Sequence, residues 1–142
     1  MTLRVVIDSS LLIALASADE RSPDVHRQFV DWIESDTDLH APLLVWYEVV
    51  SGIAQLVFDK KLPRDSVSER LERLRDLPVT GHALEDRARP VEIAVRLRTR
   101  KAYDAAYLAL AEHLHAELWT LDGRLFNNAS ASGFPVRLLP LR

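Results

Sequence analysis

The stretch from Lys101 to Gly123, KAYDAAYLALAEHLHAELWTLDG, decides the fold because it predicts a helix followed by a buried strand. Its apolar residues recur at the i, i+3, i+4 and i+7 spacing of one helix face, and its many alanines favour a helix intrinsically. The short run Leu118–Leu121 that follows is almost entirely apolar, which is typical of a strand buried in a parallel sheet. We therefore predict an α/β protein with helices packed on a parallel sheet.

Two acidic residues of this stretch occupy positions that draw attention. Asp104 lies one turn before Tyr107 and Leu108, so its carboxylate flanks the face that is predicted to be packed, where an uncompensated charge is costly. Asp122 directly follows the predicted strand. In open α/β sheets, ligands bind at the carboxyl ends of the strands. Both residues are therefore candidates for a functional site.

Composition limits the class of protein. The chain has 142 residues, 48% of them hydrophobic and 27% charged, as expected for one soluble globular domain over residues 1–142. It has no cysteine, which excludes disulfides, thiolate zinc sites and cysteine nucleophiles and is consistent with the cytoplasm. The apolar run from 11 to 16 is too short to span a membrane and follows no basic leader, so we assign it to the core. A net charge of −3 argues against nonspecific coating of nucleic acid.

A second predicted strand, Leu3–Ile7, also ends in an acid. Asp8 follows it as Asp122 follows the later strand, and an apolar helix comes next. Aspartate at this position is also a common turn residue or helix N-cap. Both interpretations of Asp8 remain open from the sequence.

A third acidic candidate lies in the most apolar predicted helix. Leu39–Ala41 is predicted to be a short strand, and Pro42 to open a helix that continues to Phe58. Because this helix is apolar on almost every side, we expect it to be largely buried. Glu48 lies within it and has no neutralising residue nearby in sequence, so it needs a partner unless it faces the surface. Gly52, one turn later, predicts the close approach of another backbone.

The remaining segments supply supporting elements. They are a helix from Ser22 and Pro23 with core positions Val25, Phe29, Trp32 and Ile33, an amphipathic helix Arg64–Leu77, an extended segment Leu77–Thr80, a helical segment Ala83–Thr99 broken at Arg89, a short helix Arg124–Phe126 before a turn-rich segment, and a final strand Val136–Leu139. Neither a metal-binding HExxH pattern nor a GxGxxG, P-loop or GxSxG motif occurs.

A basic run precedes Asp104. It comprises Arg96, Arg98, Arg100 and Lys101. These residues have two interpretations, as solvated helix-surface charges or as a phosphate-binding patch beside an acidic site.

Four carboxylates remain as the candidate site: Asp8, Glu48, Asp104 and Asp122. A parallel sheet flanked by helices can bring all four to one edge. Because like charges at short distances repel, such a cluster needs protons or a cation. Hard oxygen ligands without sulfur favour Mg²⁺ or Mn²⁺, and such ions activate water and neutralise charge on a scissile phosphate. The sequence therefore indicates phosphodiester hydrolysis.

At these residues the chain resembles the PIN domains, and especially the VapC-type toxins of toxin–antitoxin pairs. The segments that carry the resemblance are VIDSSLLIAL, PLLVWYEVVSGI, AYDAAYLALAEHL and WTLDGRLF, in the order of the family. No single segment is specific, but the four together cover nearly the whole chain.

The resemblance implies an α/β/α sandwich around a parallel sheet and a Mg²⁺- or Mn²⁺-dependent endoribonuclease. Cleavage is expected to leave a 5′-phosphate and a 3′-hydroxyl. The four acids match the metal-site positions of the family, and Ser9 and Thr120 match polar positions beside that site. The resemblance also implies a homodimer that arrests translation and is silenced by a cognate antitoxin protein.

Other interpretations remain open from the sequence. A non-catalytic PIN-fold module would bind RNA or protein without cleavage, and its expected sign is a lost acid. A Mg²⁺-binding receiver domain usually has adjacent acids after its first strand, which Asp8-Ser9-Ser10 lacks. Trp32, Trp46 and Phe58 either pack in the core or line a groove for a partner's apolar segment. Such a partner would insert an arginine near Asp8 and Asp104, since arginine pairs with carboxylates.

Overall fold

The computed structural model describes residues 2–142, and at its centre lies a five-stranded sheet in which all neighbouring strands are parallel. The strands are β1 (Arg4–Ile7), β2 (Asp38–Pro42), β3 (Val79–His82), β4 (Glu117–Thr120) and β5 (Val136–Leu138). Their spatial order is β3-β2-β1-β4-β5. From the central strand β1 the chain adds β2 and then β3 on one side, and afterwards β4 and β5 on the other side. The strand order therefore reverses between β1 and β4.

Seven α-helices flank the sheet within residues 2–142. They are α1 (Ser9–Ser17), α2 (Ser22–Glu34), α3 (Leu44–Phe58), α4 (Val67–Arg75), α5 (Ala88–Leu97), α6 (Tyr103–Leu114) and α7 (Gly123–Ala131). Helix α1 packs against α2, α3 and α4, while α6 packs against α5 and the central strands. The predicted α/β/α sandwich is confirmed. None of the helices in this part of the chain has the length and apolarity needed to cross a membrane.

The core lies on both faces of the central strands. Successive residues of a strand point to opposite faces, and in β1 both Val6 and Ile7 are fully buried. On one face Trp119 packs edge-on against Trp32 of α2, with ring centroids 5.2 Å apart. Because both of its faces are covered, the centre of the sheet consists of short apolar runs, residues 5–7 in β1 and residues 118–119 in β4. That is why β1 and β4 were correctly located from the sequence.

The predicted break at Arg89 is wrong. Residues 83–87 lie outside the helix, which begins at Ala88. The Asp86 carboxylate accepts hydrogen bonds from the backbone N–H groups of Ala88 and Arg89, at 3.1 Å each, and so satisfies donors at the helix start. Pro90 lies in the first turn, where its missing N–H breaks no helical hydrogen bond.

Helix α7 is longer than predicted. The sequence indicated only Arg124–Phe126, but the helix continues to Ala131 through an Asn-rich and Ser-rich segment. Leu125 and Ala129, four residues apart, are both buried, so tertiary packing outweighs the low helix propensity of the intervening residues. The chain turns after the helix at Gly133, whose φ of +85° favours glycine.

Smaller differences concern helix boundaries and one core position. Pro42 ends β2 instead of opening a helix, and α3 begins at Leu44. The charged amphipathic segment begins as a 3₁₀ turn, Arg64–Ser66, before α4. Val25, Phe29 and Trp32 are buried as predicted. Ile33 is 46% exposed, so its assignment to the core was wrong.

A histidine pair joins β2 to the edge strand β3. His40 Nδ1 lies 2.9 Å from His82 Nε2, and His40 Nε2 is buried without a hydrogen-bond partner in residues 2–142. Burying His40 Nε2 without a proton costs less free energy than burying an unpaired N–H. We therefore infer that His40 Nδ1 carries the proton and donates a hydrogen bond to His82 Nε2. Burial lowers the pKa of His40, and His82 and Arg4 lower it further, while Asp38 acts in the opposite direction.

This pair predicts a loss of stability in acid. A histidine with a lowered pKa stabilises the folded state above the pKa of the unfolded chain, near 6.5, and loses that contribution as the pH falls. His40→Leu should therefore lose less stability than the wild type between pH 7 and pH 5. Urea unfolding at both pH values measures the difference. His113→Gln, at an exposed histidine, is the control, and an identical pH response of His40→Leu and the wild type would contradict the prediction.

Candidate active site at the carboxyl edge of the sheet

Asp8 is a buried carboxylate and a helix cap at once. It follows β1, is 7% exposed, and caps α1 by accepting a hydrogen bond from the Ser10 backbone N–H at 3.0 Å. The hydroxyls of Ser10 and Thr120 also donate to its two oxygens. The structural and functional interpretations of Asp8 are therefore compatible, because the cap orients a carboxylate that lies at the strand-order reversal.

The environment of Asp8 disfavours its charged form. Burial is the largest effect and raises its pKa from 3.8 to about 6, against the lowering effect of the Ser10 and Thr120 hydrogen bonds. The nearby charge of Asp104 raises the pKa further. An ionised Asp8 therefore carries an electrostatic cost at neutral pH, which a cation in the site would relieve.

Two hydroxyls connect the ends of β1 and β4. Thr120, fully buried at the end of β4, donates to Asp8 and accepts from the Asp122 backbone N–H at 2.9 Å. The Ser10 hydroxyl donates to Asp8 and accepts from the Leu121 backbone N–H at 3.0 Å. These bonds fix the position of Asp8 relative to the start of α7. Sequence reasoning identified Thr120 but missed Ser10, whose signal was its position two residues after a capping aspartate.

Asp122 lies on the neighbouring strand end and is exposed. Its carboxylate caps α7 by accepting from the backbone N–H groups of Arg124 and Leu125, at 2.9 and 3.3 Å. Capping alone accounts for its position. Its charge nevertheless reaches the site, because it raises the pKa of Asp104.

Asp104 lies among the other acids. It stands in the first turn of α6 beside the buried Ala105, while its own side chain remains exposed. Partial burial raises its pKa, and the charges of Asp122 and Glu48 raise it further. Within residues 2–142 no protein group donates a hydrogen bond to its carboxylate. The prediction that Asp104 flanks a packed face agrees with this position at the rim of the core.

Glu48 has a neutral partner. It is half-buried on α3, and the hydroxyl of Tyr107, on α6, donates a hydrogen bond to its Oε1 atom. Tyr107 is only 1% exposed, and its pKa is strongly raised by burial first and then by Glu48. The phenol therefore remains a donor at any physiological pH. The sequence placed Tyr107 on the apolar stripe and missed its contact with Glu48.

Helix α3 is much less buried than predicted. Only one row, Val45, Val49 and Ile53, is buried, whereas Tyr47 is 74% and Phe58 86% exposed. The expectation of a largely buried helix was wrong because an apolar composition does not show how many faces the rest of the fold covers.

Gly52 and the tryptophans also differ in part from their predicted roles. A Cβ atom at Gly52 would lie 2.5 Å from the Ile13 side chain, so this glycine admits a side chain of α1 and not a backbone. Trp32 is buried in the core, and Trp46 packs partly against it. Of the three aromatic residues considered for a groove, Phe58 is the exposed one.

The donor chemistry of this edge fits a hard divalent cation. All four candidates offer carboxylate oxygens, and Asp104 has three acidic neighbours and no protein donor among residues 2–142. Asp8 accepts two hydrogen bonds at Oδ1 and one at Oδ2, so a lone pair of Oδ2 remains for a cation. No three acidic or histidine side chains in the described part of the chain converge closely enough to form a complete ion-binding group.

Fold and site together define a class of protein: a doubly wound α/β domain with carboxylates at the point where the strand order reverses. Residues 5–131 match the family model for the PIN domain. The chain therefore belongs to the PIN domain family.

Relatives with assigned names agree with the family. The chain is 29% identical over 140 residues to "Ribonuclease VapC3" of Pyrobaculum aerophilum, which covers 97% of this chain and 100% of the relative. It is 31% identical over 137 residues to "VapC ribonuclease Mb0985" of Mycobacterium bovis, with 96% and 98% covered. The crystal structure of PAE2754 from Pyrobaculum aerophilum is similar in fold, with a TM-score of 0.68 at 21% identity over 89% of this chain and 79% of that one.

Asp8→Asn tests the electrostatic cost of the buried acid. Because the folded-state pKa of about 6 lies above 3.8, protonated Asp8 favours folding fully below pH 3.8, and this contribution is lost as the pH rises through 6. The difference between the two pKa values corresponds to a change in the free energy of unfolding on the order of 3 kcal/mol. In EDTA at pH 7, Asp8→Asn should be at least as stable as the wild type, and its advantage should shrink towards pH 4. Thermal melts measure this, and a clearly less stable Asp8→Asn at pH 7 would contradict it.

Two substitutions of Asp122 distinguish the effect of its helix cap on stability from the effect of its negative charge. Asparagine also caps helices well, so Asp122→Asn should leave the metal-free stability unchanged or slightly higher. Asp122→Ala removes the acceptor for Arg124 and Leu125 and should cost about 1 kcal/mol. Urea unfolding in EDTA compares the two variants. Equal losses of stability in both would show that the charge itself stabilises the fold.

Proposed function

We propose that this chain is a metal-dependent endoribonuclease that hydrolyses RNA phosphodiester bonds and acts as the toxin of a toxin–antitoxin pair. The observation that carries the proposal is Asp104, which lies among Asp8, Glu48 and Asp122 at the strand-order reversal without a protein donor in residues 2–142. Its named relatives are ribonucleases. Sequence similarity over nearly the full length supports the same activity here.

The residues of the chain hold the acids in place for this reaction. Ser10 and Thr120 orient Asp8, and Tyr107 orients Glu48, while Asp104 remains open to a ligand. When bound by these carboxylates, Mg²⁺ or Mn²⁺ would lower the pKa of water and offset charge on the scissile phosphate. Hydrolysis is expected to leave a 5′-phosphate and a 3′-hydroxyl. Ser9, at the start of α1, stands near Glu48 and is a further polar group at this site.

The basic run divides into two parts. Arg96 donates to the Ser132 carbonyl at 2.7 Å and lies over the Phe134 ring, so it joins α5 to the segment after α7. Arg98, Arg100 and Lys101 are exposed in the segment that leads to Asp104. We assign these three a role in binding RNA phosphates, which would strengthen binding to any sequence and weaken in salt.

The proposed partner is a small cognate antitoxin. Its apolar segment would cover exposed apolar surface of this domain that includes Phe58, and its arginine would pair with Asp8 and Asp104. Such an arginine would compete with both the cation and the RNA. A homodimer and a cytoplasmic location belong to the same proposal.

The two alternative functions have less support. The receiver-like interpretation is excluded because the chain belongs to the PIN domain family. A non-catalytic module would be expected to have lost an acid, whereas all four candidates are present. The charges of Glu48 and Asp122 raise the pKa of Asp104, and the charge of Asp104 raises the pKa of Asp8.

Purified protein should cut RNA only with a divalent cation. Wild-type protein with Mn²⁺ or Mg²⁺ is expected to cleave single-stranded RNA, and EDTA should abolish cleavage. Asp8→Asn and Asp104→Asn should each lower the rate by at least about 100-fold, because each removes charge that positions the cation. Cleavage is followed by gel electrophoresis of end-labelled RNA.

Asp38→Asn is the matched control. Asp38 lies at the amino end of β2, away from the carboxyl ends of the strands where the four acids lie, and its substitution should not affect the rate. Full activity of Asp104→Asn would remove that residue from the site. Absence of cleavage by the wild type with either metal would refute the nuclease proposal. Expression of the wild type should also slow growth, and Asp8→Asn should relieve it.

A further inference from the structure

An open cleft bordered by Glu48 lies between α3 and the start of α6. It has a volume of about 430 Å³, within the roughly 300–1,000 Å³ range of small-molecule sites. The side chains that matter for its chemistry are Ser9, Tyr47, Glu48, Ser51, Gln55 and Tyr103. Helix α1 packs against α3 next to the cleft, and Ile13 occupies the space beside Gly52.

The two tyrosines of this cleft are exposed and adjoin the site. Tyr47 is 74% and Tyr103 54% exposed, although large aromatic side chains are normally mostly buried. Each immediately precedes a candidate acid in sequence, Tyr47 before Glu48 and Tyr103 before Asp104. Neighbouring helix residues point about 100° apart, so each ring flanks an acid without blocking it.

The α3 wall of the cleft carries groups that can bind the edge of a polar ring. Tyr47, Ser51 and Gln55 recur every four residues and therefore form one row along the helix. A hydroxyl and a side-chain amide supply both donors and acceptors. Aliphatic residues would suit an apolar peptide better than this row does.

Charge determines which part of a nucleotide fits. The lining includes the acid Glu48, and it includes no lysine or arginine from residues 2–142. A phosphate would be repelled there, whereas an uncharged base would not. The basic side chains that can bind phosphates lie outside the cleft, in the segment before Asp104.

We propose that this cleft is a subsite for one unpaired RNA base, which stacks on Tyr47 and Tyr103 next to the phosphate held at the acids. Row residues Ser51 and Gln55 bind the edge of the base. Bases stack on aromatic side chains in single-stranded RNA, and in a duplex they are not free to do so. The subsite rests on the proposed ribonuclease function and adds to it an aromatic position that binds one base beside the scissile phosphate.

Binding and cleavage of one RNA test the subsite. The probe is a fluorescein-labelled 12-nucleotide RNA, used single-stranded and as a duplex with its complement. Anisotropy in EDTA gives the Kd, and cleavage with Mn²⁺ gives KM and kcat. Tyr47→Ala and Tyr103→Ala are each expected to weaken single-strand binding by about 5- to 100-fold and to raise KM more than they change kcat.

Matched variants separate stacking from other roles. Tyr47→Phe and Tyr103→Phe keep the ring and should bind within about twofold of the wild type. Val50→Ala shortens an exposed apolar side chain of α3 outside the cleft and should bind as the wild type does. All replaced side chains are exposed, so thermal melts should show little change.

Several results would overturn the subsite. Wild-type affinity in both alanine variants, equal losses in the phenylalanine and alanine variants, equal binding of duplex and single strand, or no binding of the RNA by the wild type would each do so. Normal RNA binding by the alanine variants together with loss of a co-purifying protein would assign the cleft to a protein partner. The anisotropy measurement needs no cleavage. RNA that binds in EDTA but is not cut after Mn²⁺ or Mg²⁺ is added would refute the nuclease proposal and leave the subsite intact.

Discussion

The burial of the Asp8 carboxylate is the constraint on which the rest of the site depends. A carboxylate at the end of a central strand has little access to water. The protein must therefore supply hydrogen-bond donors to it, or the carboxylate must take up a proton. Ser10 and Thr120 supply hydroxyl donors, and each hydroxyl also accepts a backbone N–H from the segment after β4. One buried charge thus organises the ends of two strands and the start of α7.

The second pair of acids is arranged by a different element. Helix α6 carries Asp104 in its first turn and Tyr107 one turn later, and Tyr107 holds Glu48 of α3. The relative positions of Glu48 and Asp104 therefore depend on a hydrogen bond between two helices, whereas those of Asp8 and Asp122 depend on the sheet. The fold brings the two pairs together because α6 packs on β1 and β4.

Sequence reasoning located β1 and β4, because buried parallel strands are apolar runs, and it singled out four acids that follow strands or interrupt apolar helices. It failed where tertiary contacts decide. The extension of α7 depends on the burial of Ala129, and the exposure of Tyr47 depends on which faces other helices cover. Tyr107 was placed correctly in the core, but its hydroxyl contact with Glu48 links residues 59 apart and leaves no local pattern.

The strand order also has a consequence for biosynthesis. The hydrogen bond from Thr120 to Asp8 closes a loop of 112 residues, and contacts of such long sequence separation form late and slowly. A growing chain can fold β1, β2 and β3 together on the ribosome, but Asp8 has no Thr120 and Asp104 no Asp122 until β4 and the start of α7 have been made. The acidic edge of an enzyme with this topology therefore remains incomplete until residue 122 of its 142 residues has been made.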